Sequence, residues 1–156
     1  MALSSGKIVV GVDGSKSSVE ALRMAAKLAP ALDTGVHAIA CWHFPRMYEG
    51  YVPPDFEAFE ASAKEKLEAA LQQAYGTEQP AGLSTELLRG PAPELLVQAG
   101  EEAALLVVGR RGHGGFRGMH LGSVSTACVA HAACPVLVLH ESGKVHTRGG
   151  REHAEP

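Results

Sequence analysis

The second half of the chain carries a glycine series whose spacing suits the binding of an anion. Two residues separate Gly109 from Gly112, nine separate Gly112 from Gly122, and Ser123 follows directly. The apolar residues 105–108 before the series are typical of a buried strand, and the residues after it have helical character. A strand that opens through a glycine-rich turn into a helix directs backbone N–H groups and the positive end of the helix dipole at one point. The spacing therefore favours a phosphate-binding turn.

The charge of the same segment supports this interpretation. Between the first and last glycine the sequence has no acidic residue and five basic or imidazole side chains, at Arg110, Arg111, His113, Arg117 and His120. The chain as a whole has a formal net charge of −3, so the excess of positive charge is local. Glycine content alone is equally compatible with a flexible surface loop. The spacing also matches neither the P-loop nor the dinucleotide-binding fingerprint.

Each small residue of the series has an expected role. Gly109 is expected to let the strand end in a sharp turn, and Gly112 to remove a Cβ where the chain approaches a ligand. Gly122 and Ser123 return the chain to the start of the next helix. Ser123 is the expected N-cap, and Ser125 offers a second hydroxyl.

Composition limits the class of protein. The 156 residues are 46% hydrophobic and 20% charged, which predicts one soluble domain. The near-neutral charge balance gives no case for nucleic-acid binding. Three cysteines are too few for a disulfide framework, and Cys41 and Cys128 are expected to be buried thiols in a reducing compartment. No segment has the length and apolarity of a membrane span, and residues 1–6 lack a signal-peptide core, so a cytoplasmic location is expected.

Apolar runs alternate with helical patterns along the chain. Strands are predicted at residues 7–12, Val36–Trp42, 83–87, 105–108 and Val136–Leu139, and helices in the four intervals between them. This alternation predicts a doubly wound, open and mostly parallel α/β sheet with helices on both faces. The third strand alternates with polar residues, which indicates a sheet edge. Within the domain of residues 1–141, the Pro- and Gly-rich residues 44–55 are predicted to form a mobile loop; the polar tail 142–156 is predicted to be disordered.

Three motifs in the same order resemble the universal stress protein family, in its ATP-binding, single-domain form. They are the opening run Ile-Val-Val-Gly-Val-Asp-Gly-Ser at residues 8–15, the glycine series, and His-Ala-Ala-Cys-Pro-Val-Leu-Val at residues 131–138. The resemblance extends from about residue 7 to residue 140. It implies five parallel strands in the order 3-2-1-4-5, the adenine-nucleotide alpha-hydrolase-like fold. It also implies a nucleotide at the carboxyl ends of strands 1 and 4, the topological switch point.

The resemblance also implies a set of site residues. Asp13 would contact the ribose or adenine beside the backbone of Gly11 and Val12, and Cys41 would line an apolar adenine pocket. The ribose region would meet Val108 and Gly109. The residues implied for the phosphates are Arg110, Gly112, Gly122, Ser123, Val124 and Ser125.

The preferred hypothesis is a cytoplasmic stress-response module that binds ATP, ADP or AMP, with or without Mg²⁺, and changes its conformation or partner with nucleotide occupancy. The resemblance adds a homodimer through the last strand, Val136–Leu139.

A first alternative is slow ATP hydrolysis or autophosphorylation. It would need Mg²⁺ near Asp13 and a general base that the sequence does not supply. For Asp13, ligand binding or helix capping is favoured over catalysis. A second alternative is an interaction protein that binds no nucleotide. The intact glycine series disfavours this alternative. No histidine or cysteine pair has metal-ligand spacing.

Overall fold

The computed structural model describes residues 4–43, 55–110 and 121–140, and strands alternate with helices through all three stretches. The elements are β1 (Ile8–Gly11), α1 (Lys16–Leu28), β2 (Val36–Trp42), α2 (Phe56–Tyr75), β3 (Ser84–Arg89), α3 (Ala92–Ala99), β4 (Leu105–Gly109), α4 (Ser123–His131) and β5 (Val136–Leu139). The predicted elements are therefore present, with bounds that shift by one or two residues, the largest shift being at β3. The predicted loop at 44–55, apart from Asp55, and the predicted tail lie outside the described residues.

The five strands form one parallel sheet in the order β3-β2-β1-β4-β5. This order confirms the predicted topology, including the edge position of β3. Ile8 of β1 pairs with Val36 on one side and with Leu105 on the other. The strand order reverses between β1 and β4, so the connections after these two strands leave toward opposite faces and a crevice opens at their carboxyl ends.

Apolar side chains fill both faces of the sheet. On one face α1 and α2 pack on Val10 and Val107, and on the other α3 and α4 pack on Val9 and Leu106. All four of these strand residues are fully buried. The sequences of the central strands are therefore continuous apolar runs, because a sheet covered on both faces has no solvated side.

The start of α1 is fixed by short polar side chains directly after β1. Ser15 is the N-cap, and its hydroxyl oxygen accepts a hydrogen bond from the backbone N–H of Ser18 at 3.2 Å. The carboxylate of Asp13 accepts from the backbone N–H of Ser15 at 2.9 Å. These bonds satisfy donors that the first helical turn leaves open, and they hold α1 against the carboxyl edge of the sheet.

A polar cluster around a buried histidine, not predicted from the sequence, joins the residue before β1 to β2 and β3 near their amino ends. His37 is fully buried; its Nδ1 is hydrogen-bonded to Ser84 Oγ at 2.7 Å and its Nε2 to Glu86 Oε1 at 2.8 Å. Lys7 Nζ donates to the same Ser84 oxygen at 3.1 Å. We refer to these four residues as the amino-end network. It gives the buried imidazole a partner on each nitrogen and ties the edge strand β3 to the centre of the sheet.

Candidate functional site

A cleft of about 600 Å³ opens at the carboxyl edge of the sheet, between the ends of β1 and β2 and the first half of α2. The residues that line it are Val12, Asp13, Ala40, Cys41, Trp42, His43, Asp55, Ala58, Phe59, Ser62, Ala63 and Lys66. Small-molecule sites have volumes of roughly 300 to 1,000 Å³. Three of the residues singled out from the sequence, Val12, Asp13 and Cys41, therefore lie together in a cleft large enough for a small ligand.

Asp13 has a structural role at this edge and is also exposed to the cleft. Its Oδ1 accepts from the N–H of Ser15, so the side chain caps the turn that leads into α1. The residue is exposed and lines the cleft. Because a carboxylate accepts several hydrogen bonds, capping leaves acceptor capacity for a ligand hydroxyl or amine.

Cys41 lies at the end of β2, on the face that α3 and α4 cover, and it is half-buried rather than buried as predicted. Burial raises the pKa of its thiol to about 11, with smaller contributions from Glu86 and from Cys128. Burial likewise raises the pKa of Cys128, which is fully buried, to about 11. At neutral pH the Cys41 thiol is therefore neutral and weakly polar, and the residue borders the cleft from the end of β2.

Gly109 has a different reason to be glycine from the one expected. A Cβ at this position would lie 2.2 Å from the Oγ, 2.8 Å from the Cβ and 3.0 Å from the backbone carbonyl carbon of Ser17. Gly109 is also absent from the described glycines with positive φ, so its backbone does not require the left-handed region. The missing side chain lets the first turn of α1 lie directly against the end of β4.

The chain leaving β4 and the chain entering α4 are joined at the carbonyl group of Arg110. This oxygen accepts from the N–H of Gly122 and from the hydroxyl of Ser125, both at 2.8 Å. The Ser125 hydroxyl also approaches the carbonyl oxygen of Gly122 at 3.2 Å, and the side chain is buried. The Ser125 proton is thus used within the protein, and the hydroxyl fixes the start of α4.

The N-cap of α4 lies one residue before the expected one. Gly122, with φ −78° and ψ 176°, is the N-cap, and Ser123 is the first helical residue rather than the cap. In the part of the chain that the structure describes, no side chain caps this helix. Its first N–H groups include those of the exposed Ser123 and half-buried Val124, where an anion would be stabilised. Gly112, together with Arg111, His113, Arg117 and His120, lies outside the described residues.

The two groups of predicted residues meet where β1 pairs with β4. A Cβ on Gly11 would lie 3.4 Å from Cγ1 of Val108, and 2.6 Å from Cδ1 of Leu96 on α3. Gly11 and Val108 are therefore neighbours, with the cleft on the β2 side and the Arg110–Gly122 junction on the β5 side. The predicted site residues on the β4 side of this boundary are not among the residues that line the cleft.

The helical wall of the cleft was not predicted from the sequence. Phe59 and Ala63 have the same helical spacing as the core residues of α2, and they differ from them by lining the cleft. Within the described ranges no group of three or more His, Cys, Asp or Glu side chains could hold a metal ion. None of the described helices is both long and apolar enough to cross a membrane.

Comparison with known proteins gives a consistent result. The model of the universal stress protein family matches residues 5–140. Universal stress protein Rv1996 of Mycobacterium tuberculosis is 35% identical over 139 residues, which are 84% of this chain and 43% of that protein. The chain thus spans less than half the length of this relative.

Solved structures share the fold over almost their whole length. Universal stress protein UspA from Lactobacillus plantarum superposes with a TM-score of 0.68 at 25% identity, covering 86% of this chain and 97% of that one. A universal stress protein crystallised in complex with cAMP has a TM-score of 0.56 at 27% identity, covering 89% and 99%. By sequence and by fold, the chain belongs to the universal stress protein family.

Proposed function

We propose that this chain binds an adenine nucleotide at the carboxyl edge of the sheet, with the nucleoside in the cleft and the phosphates toward the start of α4. The observation that carries the proposal is the meeting of Val12, Asp13 and Cys41 in one cleft of about 600 Å³. A related universal stress protein of 27% identity holds cAMP, a ligand of the same chemical class, and this supports the proposal.

The charges at the two sides of the β1–β4 boundary support this orientation of the ligand. The cleft is lined by Asp13 and Asp55 against one lysine, Lys66, so its formal charge disfavours a phosphate. On the other side, the N-terminus of α4 offers backbone donors and the positive end of its dipole. The uncharged base and ribose therefore suit the cleft, and the anionic phosphates suit the helix.

The proposed physiological role is that of a cytoplasmic, nucleotide-dependent regulatory module in a stress response. ATP, ADP and AMP are the proposed ligands, and Mg²⁺ would accompany the di- and triphosphates. Binding rather than turnover is the proposed activity; besides Asp13, the described cleft residues that could act as a general base are His43 and Asp55.

The test begins with freshly purified protein, which is denatured so that mass spectrometry identifies any small molecule it releases. Calorimetric titration of the nucleotide-free chain with ATP, ADP and AMP follows, each with and without Mg²⁺. We expect saturable binding of at least one adenine nucleotide. Absence of binding by all three at millimolar concentration would contradict the proposal.

We further propose that two copies pair through β5, the edge strand opposite β3. The N–H of Leu106 bonds to the carbonyl of Pro135 and that of Arg110 to the carbonyl of Leu139, so these odd-numbered residues of the segment face β4. Val136 and Val138 therefore present their backbone N–H and C=O groups to the outer edge.

This register gives a sharp test of the dimer. Val138→Pro removes an outward N–H and keeps the hydrogen bonds to β4, because proline is tolerated at the outer edge of a sheet. Light scattering should show a dimer for the parent chain and a monomer for the variant. A variant that remains dimeric, or a parent chain that is monomeric at high concentration, would exclude pairing through β5.

A further inference from the structure

The apolar stripe of α2 changes its surroundings along the helix. In the second half its residues are buried against the sheet, at Leu67, Ala70 and Leu71. In the first half the same stripe continues through Phe59 and Ala63, which line the cleft together with the polar Ser62. Helix α2 thus packs on the sheet along its second half, and its first half forms a wall of the open cleft.

The chemistry of this wall suits a flat heterocyclic ring. Ala58 and Phe59 on the helix face Val12 and Ala40 on the sheet across the cleft, and Trp42 adds a second aromatic side chain. An apolar slot with aromatic side chains and a few polar groups at its rim is the usual form of a site for a ring-containing ligand.

The polar groups of the wall lie one helical turn apart at its rim. Ser62 and Lys66 have the i, i+4 spacing that places two side chains on the same face of a helix, and both are exposed. A lysine offers only hydrogen-bond donors, and a serine offers one donor and two lone pairs. Adenine has acceptor nitrogens and an exocyclic amine at its edge, so both side chains find complementary groups on it.

We infer that α2 forms the second wall of the nucleotide site, with Phe59 on the face of the base and Ser62 and Lys66 at its edge, and that this wall sets the preference for adenine. This inference rests on the proposed function, because it assigns residues to the base that the proposed nucleotide carries. It adds a base-selecting helix to a site whose predicted residues lie at strand ends and in and directly after the glycine series.

Helix α2 provides its own matched controls. Phe56 and Lys64 are exposed residues of the same helix that do not line the cleft. The test compares Phe59→Ala with Phe56→Ala, and Lys66→Met with Lys64→Met. Stacking of a base on an aromatic side chain contributes enough that Phe59→Ala should raise the Kd for AMP about tenfold. Lys66→Met should raise it about fivefold, and both control variants should stay within about twofold of the parent chain.

The only tryptophan of the sequence supplies a second readout. Trp42 lines the cleft and is 8% exposed, so a base bound there should change its fluorescence in step with the calorimetric saturation. The parent chain should also prefer AMP to UMP, and Phe59→Ala should reduce that preference, because the smaller pyrimidine has less ring surface to stack.

The outcomes separate this inference from the proposed function. If the parent chain binds AMP but Phe59→Ala and Lys66→Met bind it equally well, the α2 wall has no part in base recognition, while nucleotide binding stands. Binding that leaves Trp42 fluorescence unchanged would likewise overturn the inference. If the parent chain binds no adenine nucleotide, the proposed function fails and the inference fails with it. Circular dichroism and thermal unfolding of each variant confirm that the fold is retained.

Discussion

Polar side chains have opposite surroundings at the two ends of the sheet. At the amino end Lys7, His37, Ser84 and Glu86 hydrogen-bond one another, and the buried imidazole has a partner on each side. At the carboxyl end Asp13 uses one oxygen in a turn and remains exposed beside a cleft of about 600 Å³. Polar groups that satisfy one another hold a structure together, whereas polar groups that face a cleft are available to a ligand.

The same comparison separates two kinds of glycine. Gly109 is pressed against Ser17, so its small size serves the packing of α1 on β4. Gly122 has an ordinary extended backbone that any residue adopts, so its small size is free to serve the approach of a ligand. The glycines of one sequence signature can therefore serve different purposes, some folding and others binding. Substituting them one at a time distinguishes the two purposes.

The largest expected effect is on folding, from Gly109→Ala. The new Cβ would overlap Ser17, and the free energy of unfolding should fall by about 3 kcal/mol. Denaturant unfolding measures this loss. Adding Ser17→Gly to the same chain removes the clashing side chain and should restore about half of the lost stability. A single variant as stable as the parent would show that α1 is not packed against Gly109.

The next effect is on binding, from Gly122→Val. A branched side chain at the N-cap should block the phosphate and raise the Kd for ATP by about a hundredfold, which corresponds to about 2.7 kcal/mol. Because the backbone of Gly122 is extended, the midpoint of thermal unfolding should change little. Unchanged affinity for ATP would show that the phosphates do not lie at the start of α4.

A substitution in the amino-end network should affect stability and leave binding intact. His37→Ala leaves Ser84 and Glu86 without their shared partner and should cost about 2 kcal/mol in the free energy of unfolding. The Kd for AMP should remain within about twofold of the parent value, since the network lies at the other end of the sheet. His131→Ala, at an exposed position of α4, is the control for loss of a histidine. A large loss of AMP affinity in His37→Ala, but not in His131→Ala, would contradict this prediction, because it would show that the amino-end network affects binding at the carboxyl end.

The smallest effect concerns the pH dependence of stability. The pKa of Cys41 is about 11 in the folded chain against an ordinary value of 9.0, so between these values the unfolded chain releases its proton first. Stability should therefore be unaffected by this thiol below pH 9 and should decrease as the pH rises from 9 to 11. Comparison of unfolding curves for the parent chain and Cys41→Ala measures this difference. Equal slopes for both chains would mean that the Cys41 thiol is not held in its neutral form.

The sequence predicted most of the fold, because the signals for it are local. Continuous apolar runs indicated buried parallel strands, and the weaker third strand was placed at an edge. The family resemblance supplied the order of the strands, which periodicity alone does not fix.

The parts that could not be predicted depend on contacts between distant residues. His37 meets partners 47 and 49 positions further along the chain, and Gly109 meets a serine on α1. Phe59 has the helical spacing of the core residues of α2, but only the packed molecule shows that the first half of this helix lines a cleft. Local pattern therefore identified which residues form a stripe and left open whether the stripe meets a core or a cleft.

The most direct test of the central claim is a nuclear magnetic resonance titration of the ¹⁵N-labelled chain with AMP. The account predicts that amide signals at the carboxyl end shift saturably, including those of Asp13, Cys41 and Gly122, while those of His37 and Ser84 stay in place. No shift at millimolar AMP, or shifts confined to the amino end of the sheet, would contradict it.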